Sequence, residues 1–228
     1  MRRRARAPRL RVRIQQAIDA RRAAGDGPDD VLGRLLATQR QDGAPTDAAI
    51  CAALVGLIVG GLPQPAIALA QALDQLLRRP QALRSAQAAA RAGDDALLSA
   101  HILEALRFDP LAPLLTRVAT QDCVLAPGTR RATKIPKGAM VRAASSSAMM
   151  DGRRLGGPRR FDARRLAHER LHFGLGLHEC FAARMNEALL PLLVKPLLAR
   201  ENLRRAPGRA GRLERVGPFA HALHVDYD

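Results

Sequence analysis

From residue 9 to 24 the apolar residues Leu10, Ile14, Ala17 and Ile18 recur at three- and four-residue intervals. That spacing predicts a helix with one apolar face and arginines on the other. Gly25-Asp26-Gly27-Pro28 ends it. Asp29 or Asp30 then caps a second helix carrying Val31, Leu32, Leu35 and Leu36. After a Gly43-Ala44-Pro45 loop, Thr46 is a natural N-cap for a long apolar helix that runs to Leu77, interrupted near Pro63. Arg79-Pro80 breaks it, and short helices are predicted over about 80–91 and 95–108. Beyond Pro110 the pattern changes to short β-like runs, Cys123–Leu125 and Ala139–Ala143, with a hairpin-type turn at Lys137-Gly138. Residues 151–170 read as an Arg- and Gly-rich loop. A helix follows from about Cys180 to Arg200, kinked or ended by Pro191 and Pro196, and strands near 212–216 and 222–226 close the chain. The predicted fold is mainly α with small β-sheets. Residues 1–28 form a basic N-terminal helix or arm before one domain over 29–228, with no repeat.

The stretch from Ala48 to Leu73 is long enough to cross a bilayer. Its central Pro63-Gln64-Pro65 would leave backbone carbonyls unpaired in lipid, so a locally broken core helix is the better reading. No apolar segment follows the basic Met1–Arg6 start, so it is no secretory signal.

Composition narrows the function. Of 37 basic residues in a chain of net charge +16, only Lys134, Lys137 and Lys195 are lysines. A surface selected only to bind phosphate has no reason to avoid lysine, so nucleic-acid binding is disfavoured. Aromatics at 3%, with no Trp, also argue against base stacking. The three cysteines, Cys51, Cys123 and Cys180, are odd in number and far apart. They form no disulfide framework and no CxxC zinc pattern, and fit a reducing cytoplasm.

The chemistry concentrates in Phe173-Gly174-Leu175-Gly176-Leu177-His178-Glu179-Cys180-Phe181-Ala182. Two glycines allow backbone to approach something flat and large, and a single cysteine precedes an apolar helix. A cysteine at a helix start feels the positive end of the dipole, which favours thiolate. Such a thiolate suits a haem iron. A buried structural cysteine after a glycine turn is the plainer alternative.

The pattern Phe-x-x-Gly-x-His-x-Cys resembles the haem-binding loop of the cytochrome P450 family. The resemblance implies a b-type haem, with Cys180 as the iron ligand and Phe173, Gly174 and Gly176 in the loop that receives it. One departure is Ala182, where the family usually has glycine; alanine is tolerable there if φ is negative. Glu104 and Arg107 match the family's Glu-x-x-Arg, and Arg160 in Pro158-Arg159-Arg160-Phe161-Asp162 matches the arginine that completes its ion network. Arg117 and His178 correspond to partners of the haem propionates. Ile135–Gly138 resembles the family's hairpin before the loop of ion-pair residues, and Gly217–Val225 its final hairpin. The resemblance runs from about residue 29 to the end, the C-terminal part only, with the N-terminal half of such proteins absent or separate.

The long central helix of the family normally carries an acid followed by a threonine above the haem. Here Gly60 and Gly61 keep the close-approach positions, but Pro63 and Gln64 stand where the acid and alcohol belong. Neither can shuttle a proton as those groups would. Three readings follow. One is a haem-thiolate monooxygenase acting on an apolar substrate and receiving electrons from an acidic ferredoxin or flavoprotein reductase. Its basic face would include Arg164, Arg165 and Arg184. The second is a haem-thiolate protein that uses a peroxide or rearranges a hydroperoxide, with Gln64 as a polar contact. The third is a truncated, non-catalytic haem-binding remnant.

Overall fold

The computed structural model describes residues 6–25, 27–39 and 45–228. Asp26, Gly43 and Ala44 of the two predicted loops lie outside the described residues. Contacts divide the chain into two compact units, Met1–Gln64 and Pro65–Asp228.

The first unit holds α1 (Arg6–Ala24), α2 (Val31–Thr38) and α3 (Asp47–Gly61). Asp30 caps α2 by accepting from the Gly33 N–H at 2.8 Å, and Thr46 caps α3 through the Ala49 N–H at 3.2 Å. Ile14 and Ile18 of α1 share a core with Ile50 and Cys51 of α3. The first helix is therefore part of a three-helix core rather than a separate arm, and no division falls at residue 28. Arg21 clamps Asp30 with two hydrogen bonds of 3.0 and 2.8 Å, tying the end of α1 to the start of α2. Leu62 is the one residue between α3 and α4, and it keeps right-handed helical dihedrals.

The second unit is built on α4 (Pro63–Leu77, of which Pro65 onward belongs here), α5 (Pro80–Ala92), α6 (Asp95–Phe108) and α8 (Ala183–Leu198). Pro63 and Pro65 sit in the first turn of α4, where N–H groups lack helical partners in any case. Gly93 ends α5 in the left-handed region at φ +73°, and Asp94 then caps α6 through the Leu97 N–H. The four helices enclose Ala72, Leu76, Ala86, Leu98, Ile102, Leu106, Leu190 and Leu198. Asp47–Leu77 is long and apolar enough to cross a membrane by length and composition. Within it, Gln71 and Asp74 are buried in the second unit. Asp74 accepts from Arg78 and Arg205 at 2.7 Å each. Burial pushes its pKa up, but the two guanidiniums outweigh this and the net shift is downward. That end of the stretch is a core helix.

Four two-stranded antiparallel sheets decorate the second unit. They pair β1 (Leu115–Val118) with β4 (Met140–Ala143) and β2 (Cys123–Leu125) with β3 (Thr133–Ile135). The others pair β5 (Arg204–Arg205) with β8 (Val225–Asp226) and β6 (Glu214–Val216) with β7 (Phe219–Ala222). A short helix, α7, spans Ser145–Ala148.

The helix predicted to be kinked or ended by its prolines runs through both of them. Pro191 offers no N–H to the Glu187 carbonyl one turn earlier. The Ser99 hydroxyl on α6 donates to that carbonyl instead, at 2.8 Å.

Candidate functional site

Two clusters in the second unit carry the predicted chemistry. The first is the ion network. Three-residue spacing puts Glu104 and Arg107 on one face of α6, and both are fully buried. Arg107 donates from Nε to Glu104 Oε2 at 2.9 Å and from Nη2 to Oε1 at 2.8 Å, a bidentate pair. Its Nη1 reaches the Met149 carbonyl at 2.7 Å and its Nη2 also reaches the Arg160 carbonyl at 3.2 Å.

The third side chain is not the expected one. Arg160 contributes only its carbonyl; its guanidinium is 76% exposed and faces Asp162 at 3.3 Å. Arg165 is the buried arginine, donating from Nε to Glu104 Oε1 at 3.3 Å and from Nη2 to the Gly157 carbonyl at 2.8 Å. The Asp162 N–H adds a third donor to Glu104 Oε1 at 3.0 Å. The turn at Gly157, with φ +56°, presents its carbonyls inward, so the arginine that can answer them comes after Phe161 and not before it. Arg165 is also removed from the expected basic face, which keeps the exposed Arg164 and Arg184.

From this network the chain is pinned forward. Arg170 donates to the Ala163 carbonyl at 2.9 Å, and the Leu171 N–H contacts Met149 Sδ at 3.1 Å. The Cys180 N–H then closes the loop onto the Phe173 carbonyl at 2.7 Å.

That loop is the second cluster. Gly174 and Gly176 have φ of +81° and +75°, where a side chain would be strained. At Gly174 a Cβ would also meet the His178 carbonyl at 3.5 Å. Ala182 has φ −93°, so alanine is accommodated where glycine is usual. The helix begins at Ala183, three residues after Cys180, so the cysteine lies just outside the helix rather than at its start. Its carbonyl accepts from the Ala183 N–H at 3.0 Å. Cys180 is an exposed free thiol. In the same loop segment Leu175, Leu177 and Phe181 are 80%, 96% and 93% exposed.

His178 is exposed. Arg117 on β1 is exposed, donates only to the neighbouring Thr116 carbonyl at 2.9 Å, and pairs with no carboxylate among the described residues. Behind the loop His172 packs edge-on against Phe173 at 4.6 Å, with Nδ1 buried and unpartnered. Burial, and then the Arg170 cation, push its pKa down to about 4, so the ring is neutral at pH 7. His172 escaped sequence reasoning, because nothing in the pattern separates a buried imidazole from the exposed one at His178.

Gly60, Gly61 and Gln64 belong to the first unit. A Cβ at either glycine would meet nothing within 4 Å. Gln64 Oε1 is buried without a hydrogen-bond partner. Cys51 is buried against the α1 backbone and Cys123 is exposed on β2.

The donor set fits a haem. It needs a soft sulfur ligand free of internal bonding, apolar side chains beside it, and a cation free to meet a carboxylate. Cys180, the exposed trio Leu175, Leu177 and Phe181, and Arg117 meet those requirements.

The cytochrome P450 family model matches residues 9–200. Cytochrome P450 141 of Mycobacterium tuberculosis is 27% identical over 199 residues, covering 86% of this chain and 47% of that protein. The bifunctional dioxygenase–epoxy alcohol synthase of Fusarium oxysporum is 26% identical over 203 residues, 84% of this chain and 16% of that protein. Among solved structures, cytochrome P450 CYP109Q5 from Chondromyces apiculatus superposes with a TM-score of 0.79 at 24% identity, covering 96% of this chain and 53% of that one. The chain thus spans about half the length of the mycobacterial and Chondromyces proteins and a smaller share of the fungal one.

Proposed function

The chain belongs to the cytochrome P450 family, and on that premise we propose that it is the ligand-bearing part of a haem-thiolate oxidoreductase of the monooxygenase type. The observation that carries this is the exposed Cys180 thiol, held by a backbone-pinned glycine loop among three exposed apolar side chains. Cys180 would supply the sulfur ligand of a b-type haem. Phe173, Gly174 and Gly176 would shape the loop against it, and Arg117 and His178 would meet its carboxylates. Bound there, haem supplies the redox-active iron that oxidises an apolar organic substrate. Family members generally take electrons from ferredoxins or reductases, and exposed Arg164 and Arg184 suit an acidic one.

A second reading is favoured by one observation. Pro63 and Gln64 replace the acid and the alcohol that organise proton delivery in the family. Gln64 has a buried, unpartnered amide oxygen; an amide holds a polar group in place but donates no proton by ionising. That favours use of a peroxide or hydroperoxide.

Haem reconstitution tests the proposal. The ferrous–CO complex of the loaded protein should show the long-wavelength Soret band of thiolate ligation. Cys180→Ser should abolish that band, while Cys51→Ser and Cys123→Ser leave it. A histidine-type spectrum that survives Cys180→Ser would overturn the assignment.

A further inference from the structure

The second unit has a cavity remote in purpose from the cysteine loop. It has a volume of about 680 Å3 and lies between the first turn of α5, the first half of α6 and residues 160–164. We propose that this cavity binds a small aryl or alkyl phosphomonoester, held by Arg79, Arg160, Arg164 and His101.

Charge comes first. Three guanidiniums line the cavity, against the single carboxylate of Asp162. Asp162 is already occupied by the Arg164 N–H at 3.0 Å and the Arg160 guanidinium at 3.3 Å. Arg79 has no carboxylate partner among the described residues; its Nη1 donates to the Gln75 carbonyl and side-chain oxygen at 2.8 and 2.9 Å. Its guanidinium lies 4.1 Å over the Phe108 ring, which fixes it and leaves the remaining donors for a ligand. Burial, and then the adjacent Arg78 cation, lower its pKa from the usual arginine value, against a smaller opposing pull from the Glu104 and Asp74 carboxylates.

His101 adds an independent sign. It is 4% exposed and lines the cavity. Its Nδ1 lies 2.8 Å from the Leu97 carbonyl, an acceptor, so Nδ1 carries the proton. Nε2 is left without a partner among the described residues, a buried polar ring turned to a cavity with one nitrogen unspent. The start of α5 points the same way. Arg79 gives it no side-chain cap, and Pro80 has no N–H. The Gln81 and Ala82 N–H groups are therefore the free donors of the first turn, with the positive end of the helix dipole behind them.

Shape sets the ligand class. Planar arginine forks and helix-terminal N–H groups donate to the oxygens of a tetrahedral anion, and the unspent His101 Nε2, an acceptor in this tautomer, takes the hydrogen bond of the ester's remaining P–OH. Phe161, Leu97, Pro80 and Ala163 give the rest of the wall an apolar character suited to the organic part of an ester. Phe161 is stacked on Phe108 at 6.0 Å. The proposal does not depend on haem.

Calorimetric titration of the purified chain with phenyl phosphate at low ionic strength tests it, with phenol and inorganic phosphate as comparison ligands. Phenyl phosphate should bind saturably, inorganic phosphate more weakly, and phenol not at all. Arg160→Ala with Arg164→Ala removes two exposed side chains and should weaken binding about tenfold. Arg130→Ala with Arg209→Ala removes the same charge elsewhere and should leave binding unchanged. Equal loss in both double variants would reduce the effect to general attraction by a +16 chain and overturn the proposal. Undiminished binding in the first double variant would do the same.

Discussion

The Glu104 network and the Cys180 loop are joined by a short run of backbone, yet they solve opposite problems. In the network, each buried charge meets its complement within the protein: two guanidiniums, one carboxylate, four inward carbonyls and an amide. In the loop, the thiol and three large apolar side chains are exposed. The backbone there is fixed, by the Phe173–Cys180 bond and two left-handed glycines, while the side chains are left free. A region saturated with internal partners builds the fold. A rigid region with unspent partners is where a ligand belongs.

The contrast is broken most severely at Glu104. Its replacement by alanine strands Arg107 without an anion, leaves Arg165 only the Glu169 carboxylate at 3.8 Å, and should cost about 3–5 kcal/mol in denaturant unfolding. Exposed Glu201→Ala should stay within about 0.5 kcal/mol. A Glu104→Ala loss below 1 kcal/mol would mean the network is solvated, contrary to its burial.

A finer cut separates the two arginines. Arg165→Ala leaves Glu104 one cation short and the Gly157 carbonyl without its 2.8 Å donor. About 2–3 kcal/mol should be lost. Arg160→Ala keeps the carbonyl that matters and should be near neutral. If Arg160→Ala were the costlier, the assignment taken from the family motif would stand after all.

An effect that shows only as pH falls sharpens the boundary between the regions. His172 titrates near 4 when folded and at the ordinary 6.5 when unfolded. The unfolded chain therefore gains its proton first as pH falls. The contribution of His172 to stability is complete above about pH 6.5 and declines as pH drops toward 4. His172→Leu should flatten that part of the unfolding free energy against pH. An unchanged slope would show the ring is solvated.

How far these features were legible in the sequence follows from how local they are. Asp30 and Thr46 cap the helices expected of them, because a cap depends on three residues. Glu104 and Arg107 were readable as a pair through the resemblance to the family's Glu-x-x-Arg, whose three-residue spacing shares a helix face. Their third partner was not: Arg159, Arg160, Arg164 and Arg165 are alike in sequence, and only the fold of the Gly157 turn chooses among them. The exposed strands β1 and β3 left no alternating apolar pattern to find. The tolerance of Ala182 was readable as a condition on φ, which the structure meets at −93°.

Helix α8 forms where a helix was expected from about Cys180 to Arg200, with Pro191 and Pro196 inside it, and the hydroxyl of Ser99 has a kinetic meaning. Each internal proline disfavours an isolated helix by about 3 kcal/mol, so residues 183–198 are a poor helix on their own. The Ser99 bond to Glu187 spans 88 positions in sequence. Completion of α8 thus waits on a contact that forms late in chain collapse, as non-local contacts do. The cysteine loop immediately upstream takes its final form only after the rest of the second unit has found its topology.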